Sequence, residues 1–517
     1  MLAPLVGQWT SRLLSTVFRP VTLWLLVTLV SLVYLYLSRY RSYWSSRNVP
    51  HIPYRFPFGF SGWELVKQTY LESNMKLYWK AKEAGGYIGF IEPMGPALAV
   101  SDPELIKAIM MTDFDHFTIR KPKSIAEHGV QSKMMTNLHG QRWKDVRSTS
   151  TPVFSTGKLR QMLPALAEQA AAIADQMVLE SKAHGEININ QLVSRYTTNN
   201  IISVSFGLDA DSIRRPDSVV ASKAAQLSQR PSMKKLALLS LISALPGCIR
   251  KRFEIRKFTK NNSGSSCFLS VTKRIIQERR AHPEKRRNDF LQLLLDTQQS
   301  PKPECRLTDD EITAQCILFY YVGHDSTTHA IAWAARLLAF HPAVQQRLQA
   351  EIDDRLPPIS DAITYDTLSS MPYLDSVLME TLRLYPVAQL SRCCTRPYTL
   401  PGTEVTLPVN TMVYFSPYAL QRDPDLYPDP NSFVPDRFRK ELEGARPAHA
   451  FLSFGAGPRR CIAQRFAMLQ TKLVLVALLK RCSLEPGPKT GGPWPELDPS
   501  AGTLVEKGGT WLVVKSR

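Results

Sequence analysis

The stretch "FLSFGAGPRRCIAQRFAMLQTKLVLVALL", residues 451–479, limits what this chain can become more than any other. A glycine- and proline-punctuated loop with two arginines runs into an apolar helical pattern, and a lone thiol, Cys461, stands where they join. A cysteine at a helix start meets unpaired N–H groups and the positive end of the peptide dipoles, and both favour its thiolate. Gly455 and Gly457 suit a tight backbone that approaches a flat partner closely. Phe454, Gly457, Arg459 and Cys461 spell F-x-x-G-x-R-x-C, with Arg459 placed to meet an anionic group on that partner. A thiolate, N–H donors to sulfur and a close cation are the set that holds a haem iron through cysteine.

The amino-terminal region points to a membrane. From Pro20 to Leu37 the chain has 18 residues without a charge, and at about 1.5 Å per residue such a helix crosses a thin bilayer. We expect a tail over 1–19, a transmembrane anchor over 20–38, a proline-containing connector over 39–57 and a catalytic domain over 58–517. Trp24, Tyr34, Tyr36, Tyr40 and Trp44 are rings suited to the membrane interfaces. Arg39 and Arg41 follow the apolar run in place of a small-residue cleavage site. The net charge of +19 calls for an acidic counterpart. The anchor makes that lipid or an acidic protein and argues against nucleic acid. Eight scattered cysteines without a C-x-x-C pair argue against a zinc module and fit a reducing compartment. A body facing the cytosol would leave the sequon at Asn261-Asn262-Ser263 unused.

Helical periodicity predicts helices over 61–84, 103–113, 140–149, 157–182, 188–206, 266–282, 308–340, 342–352, 366–384 and 461–481. Strand patterns are fewer: 87–93, 96–101, 398–420 and 504–515. The expected architecture is one mainly α (α+β) domain with small peripheral sheets. The apolar run 232–247 fits a buried helix or a segment dipping into the membrane surface, with Lys234, Lys235 and Arg250 to Arg252 beside it.

With the cysteine loop, four further motifs in order make the chain resemble a cytochrome P450 of the animal microsomal type. "GQRWKDVR" carries W-x-x-x-R as Trp143 and Arg147, one turn apart on a helix. "VGHDST" matches the family's oxygen-activation motif on its central helix, with Gly323, Asp325, Ser326 and Thr327. "METLRLYP" carries E-x-x-R as Glu380 and Arg383, and "FVPDRF" supplies Arg437, with Asp436 where glutamate is commoner. The chain departs from the pattern at Val322, where a small residue is usual, at Ser326, usually threonine, and at Ala463, usually glycine. The flanking sequence resembles the xenobiotic-oxidising branch, which holds arthropod detoxification enzymes and also the isomerase thromboxane synthase.

The resemblance implies the P450 fold and a bound haem b, with Cys461 as the iron's axial ligand. Trp143, Arg147, Arg392 and Arg459 are implied to serve the propionates, and Phe454 and Gly457 to shape the loop. It implies a central helix that opens at Gly323, and Asp325, Ser326 and Thr327 managing protons during O–O cleavage. Glu380, Arg383 and Arg437 are implied to lock the loop structurally. The implied activity is a monooxygenase inserting one atom of O2 into a small hydrophobic substrate. Its electrons derive from NADPH through NADPH–cytochrome P450 reductase, with cytochrome b5 as a second donor, on the cytosolic face of the endoplasmic reticulum. Lys144, Arg460 and Arg465 are the cations expected on the docking side. The alternatives are a haem-thiolate isomerase of the thromboxane-synthase type and a non-catalytic haem-binding protein. Pocket walls are expected from 123–139, 225–247, Phe319 to Tyr321, and Val387-Ala388.

Overall fold

A computed structural model of the chain describes residues 22–56, 59–60, 70–92, 95–120, 129–227, 263–287, 289–356, 363–387, 389–442, 444, 446–498 and 503–517. The tail over 1–19, the apolar run 232–247 with its flanking basic residues, and the pocket-wall residues 123–128 and Ala388 lie outside the described residues.

Residues 22–38 form helix α1, whose apolar side chains, such as Leu23, Trp24 and Leu25, are 61%, 72% and 66% exposed. No helix among the described residues is long and apolar enough to cross a membrane. The segment that follows is joined to the body. The indole of Trp44 donates to the Phe90 carbonyl at 2.9 Å and is 2% exposed. A Cβ on Gly89 would stand 2.5 Å from that ring, so only glycine lets the two meet. Trp44 is therefore a core residue and not an interface ring.

The long amphipathic helices form where the periodicity predicts them. They are α2 (Gly140–Ser150), α3 (Thr156–His184), α4 (Ile189–Phe206), α5 (Ser263–Ala281), α6 (Asp309–Phe340), α7 (Pro372–Leu384) and α8 (Gln464–Leu479). The stretch expected as one helix over 366–384 breaks in two, because Pro372 opens α7 after a short helix, Tyr365–Ser369. Helix α6 starts with a reciprocal cap. The Thr308 hydroxyl accepts from the Glu311 N–H at 3.3 Å, and the Glu311 carboxylate accepts from the Thr308 N–H at 2.9 Å. It then runs through the main core, with Ile312, Ile317, Ile331 and Trp333 each at most 2% exposed.

Four strands make the largest sheet in the order β1 (Tyr87–Glu92), β2 (Gly95–Val100), β7 (Met412–Phe415) and β4 (Leu390–Cys393). β2 and β7 are parallel, and the other pairings antiparallel. A second sheet joins β3 (Ile187–Asn188), β9 (Trp511–Ser516) and β8 (Cys482–Glu485), and β5 (Tyr398–Thr399) pairs with β6 (Thr406–Leu407).

The buried centre of polar bonding is on α7. Arg383 donates to both Glu380 oxygens, at 2.6 and 2.8 Å, and both side chains are fully buried. Its remaining donors reach the carbonyls of Gln421, Pro430 and Ser432 at 2.7, 2.7 and 3.0 Å. Glu380 also accepts from the Val434 N–H at 2.9 Å and faces the Arg437 guanidinium at 3.4 Å. Gln421 passes the constraint on, accepting from the Leu452 N–H at 2.7 Å, and the Ser453 hydroxyl donates to the Leu382 carbonyl at 2.7 Å. The start of the cysteine loop is thus pinned to α7. Glu380→Gln leaves a buried cation uncompensated and should cost about 3–5 kcal/mol of stability. Thermal unfolding should show that loss, whereas Lys507→Ala, which breaks an exposed pair with Glu496, should leave the midpoint unchanged.

Candidate active site

A cavity of about 260 Å³ lies between α6 and the cysteine loop. Cys461, Phe454 and Gly455 form one side, and Val322, Gly323, Ser326 and Thr327 of α6 the other. Trp143 and Arg147 of α2 and Arg392 of β4 line it too, with Arg459.

The loop reaches its position by backbone contacts. The Cys461 N–H donates to the Phe454 carbonyl at 2.9 Å, and the Arg460 N–H to the Gly457 carbonyl at 2.9 Å. Gly457 has φ +67°, and a Cβ there would meet the Met110 carbonyl oxygen at 1.9 Å. The close approach that demands glycine is therefore to the one-turn π-helix Ala108–Thr112, not to a ligand. Helix α8 begins at Gln464, three residues beyond Cys461, instead of directly after it. Burial pushes the Cys461 thiol up, while the Ala463 N–H and the guanidiniums of Arg120, Arg147 and Arg460 pull the other way. A thiol that binds a metal ion loses its proton to water as it does so.

The charges around the cavity do not balance. Arg120, Arg147, Arg392, Arg459 and Arg460 line it, and no aspartate or glutamate does among the described residues. Burial, then the neighbouring Arg120, Arg392 and Arg147, pushes the Arg459 guanidinium down to about 8. Burial and Arg120 push Arg392 down to about 9. Guanidiniums hold their protons strongly, so such a cluster calls for an anion. Backbone carbonyls answer part of the demand. Arg459 donates to Thr118, Met135 and Leu138 at 3.0, 3.2 and 2.8 Å and stacks 4.0 Å from the Trp143 ring centroid. Arg147 donates to the Arg460 carbonyl at 2.7 Å, and Arg120 to that of Arg459 at 3.0 Å. The Nε of Arg392, a residue 1% exposed, finds no hydrogen-bond partner among the described residues. Its Nη1 donates to the Ser391 carbonyl at 2.8 Å. A thiol on one wall, an apolar slot and a buried cation with one donor unanswered fit a flat ligand carrying carboxylates and a metal.

The family model described as "Cytochrome P450" matches residues 50–513. The chain belongs to the cytochrome P450 family. The mouse protein cytochrome P450 3A11 is 31% identical over 473 residues, covering 90% of this chain and 92% of its own length. Rabbit cytochrome P450 3A6 is 33% identical over 409 residues, 78% of this chain and 80% of its own. The golden hamster lithocholate 6-beta-hydroxylase is 32% identical over 413 residues, again 78% and 80%. As a member of that family this chain is a P450 monooxygenase, and the family implies haem-thiolate chemistry.

Within this P450 the α6 face differs from expectation. The helix is unbroken through Gly323, where a Cβ would approach Ile201 Cδ1 to 3.0 Å. Close packing against α4 explains that glycine better than an opened helix does. The Ser326 hydroxyl donates back to the Val322 carbonyl at 2.7 Å. Asp325 is not among the cavity-lining residues, and its carboxylate pairs with His324 at 2.8 Å. Of the expected pocket walls, Met135, Thr136, Phe319 and Val387 line the cavity, while Tyr320 is buried away from it. Arg120 was not legible in the sequence, because it lies on an irregular segment with neither motif nor periodicity. Arg392→Leu removes an unpaired buried cation, so the haem-free protein should unfold at a higher temperature than wild type. The same change removes a charge-assisted bond of about 1.5–3 kcal/mol, so titration with iron protoporphyrin should show at least about tenfold weaker affinity.

Proposed function

We propose that the cavity holds haem b, whose iron Cys461 would bind and whose carboxylates Arg120, Arg147, Arg392 and Arg459 would meet, for oxidation of a small hydrophobic substrate. The observation carrying this reading is the cluster of five arginines, Arg392 and Arg459 among them buried, without an acidic partner among the described cavity-lining residues, beside a single thiol. Haem supplies, when bound, the iron at which O2 is reduced and one oxygen atom is passed to substrate. Trp143 packs the edge of the slot and fixes Arg459 by stacking. The Ala463 N–H and the nearby guanidiniums lower the charge that the thiolate would otherwise press on the metal. Ser326, facing the cavity, is the hydroxyl that hands on protons, and Asp325 next to it is the acid that recharges it. In the structure the Ser326 hydroxyl is held by Val322, so it must leave that carbonyl to act.

The substrate walls are apolar: Phe154, Ile201, Phe290, Phe319 and Val387. Because one relative is named as a lithocholate hydroxylase, lithocholate is a sound first probe. Residues 20–38 serve as an anchor in the endoplasmic-reticulum membrane, supported by the exposed apolar faces of α1. Electrons come from NADPH through a membrane-bound reductase, with cytochrome b5 as a second donor. The exposed cations Lys144, Arg460 and Arg465, beside Trp143 and Cys461 in sequence, suit an acidic docking face.

The test is the carbon-monoxide difference spectrum of the reduced, haem-loaded protein. A red-shifted Soret band, lost in Cys461→Ser with haem retained, supports the assignment. Its absence from folded, haem-loaded wild type would sink it.

A further inference from the structure

Beside the cavity, three side chains form a hydrogen-bonded series of which the proposed oxidation uses only Asp325. The Ser194 hydroxyl on α4 lies 2.9 Å from His324 Nε2, and His324 Nδ1 lies 2.8 Å from Asp325 Oδ1. His324 is buried, with its side chain 8% exposed, whereas that of Asp325 is 37% exposed. The imidazole stacks on Tyr320 at 5.4 Å and 21°, and Tyr320 stacks on Phe268 of α5 at 6.0 Å and 18°. Glycine at 323 lets α4 come close enough for these bonds. A further contact, Thr197 Oγ1 to Thr328 Oγ1 at 2.9 Å, holds the two helices in the same register. Arg195, beside Ser194, is engaged by Glu180 at 3.2 Å.

The order Ser–His–Asp is also that of a hydrolase triad, but Ser194 stands inside α4. There the helix ladder consumes the N–H groups that an oxyanion would need. What the series can do is hold and pass protons. Neutral His324 donates through Nδ1 to the Asp325 carboxylate and accepts at Nε2 from the Ser194 hydroxyl. Protonated His324 donates through both nitrogens, and the serine oxygen turns to accept. Both states are fully hydrogen-bonded with no heavy atom moving.

We propose that His324 is the positioning and proton-feeding partner of Asp325, with Ser194 behind it. The inference rests on the reading of Asp325 as the acid that serves Ser326. When Asp325 has released its proton toward Ser326, the imidazolium Nδ1–H transfers to the carboxylate. That leaves neutral imidazole, with Nε2–H donating to Ser194 and Nδ1 accepting from the carboxylic acid. Once Asp325 has handed that proton on, a proton from water enters at the Asp325 side chain, which is 37% exposed, and restores the imidazolium at Nδ1, while Ser194 holds the ring by accepting from Nε2–H.

Two measurements test this on the full-length protein. In protein carrying 15N-labelled histidine, the His324 signal, assigned by its loss in His324→Phe, should show the Nδ1–H tautomer or the imidazolium, and Asp325→Asn should shift it. An Nε2–H tautomer that ignores Asp325→Asn overturns the proposal. In the haem-loaded protein the probe is cumene hydroperoxide, which needs no reductase and no other substrate. Heterolysis of its O–O bond needs the hydroperoxide's own proton moved to the departing oxygen and gives 2-phenyl-2-propanol, whereas homolysis leads to acetophenone. Removing a positioned proton donor should lower the alcohol-to-ketone ratio by about tenfold in His324→Phe and in Ser194→Ala, with the carbon-monoxide spectrum intact. A ratio unchanged in those two variants but lowered in Asp325→Asn overturns the role of His324 and leaves that of Asp325 standing. A ratio unchanged in Asp325→Asn overturns the underlying reading of the acid, and this inference with it.

Discussion

The Glu380–Arg383 pair is the fixed point of this molecule. Two opposite charges with no exposed surface survive only when every donor and acceptor is answered, and here carbonyls from three separate loop positions answer them. Those carbonyls belong to the irregular stretch between β7 and the cysteine loop, which has little regular structure of its own. The pair therefore does for that stretch what a ladder of hydrogen bonds does for a sheet. Gln421 extends the constraint to Leu452, and the turn at Gly457 seats the loop against Met110. Cys461 is placed by a chain of polar contacts that starts on α7, far back in the sequence.

The opposite condition holds at the cavity. There the positive charges, two of them buried, meet no acidic side chain among the described lining residues, which makes a binding site of what would otherwise be a defect. Carbonyls satisfy part of Arg459, Arg147 and Arg120, enough to aim them, and leave a net positive slot. The contrast between a closed network at α7 and an open one at the cavity separates residues that stabilise from residues that bind. Both contain arginines on short motifs, so the sequence alone does not tell the two conditions apart.

The sequence disclosed the long helices and the motif residues, because 3.6-residue periodicity and fixed local spacing are written along the chain. It did not disclose contacts made by short or irregular segments. β4 and β8 have four residues each and lie beside stretches that read as turn or helix, yet β4 brings Arg392 to the cavity. Arg120 follows Ile119, which is held by an isolated bridge to Cys393, a pairing set by tertiary structure alone. Trp44 looked like an interface ring because an amphipathic aromatic near an apolar run has two possible neighbours, and only the fold shows it beneath β1. Gly457 was expected to admit a flat partner and instead admits Met110, and Gly323 was expected to open its helix and instead packs against Ile201, because periodicity and spacing do not show which part of the protein comes near.

The claim on which everything else rests is that Cys461 binds iron directly. X-ray absorption at the iron edge of the haem-loaded protein addresses it without reference to substrate, reductase or turnover. The account predicts a sulfur scatterer bonded to iron in the wild type, replaced by oxygen or nitrogen in Cys461→Ser. An iron environment of nitrogen and oxygen alone in folded wild-type protein would contradict it.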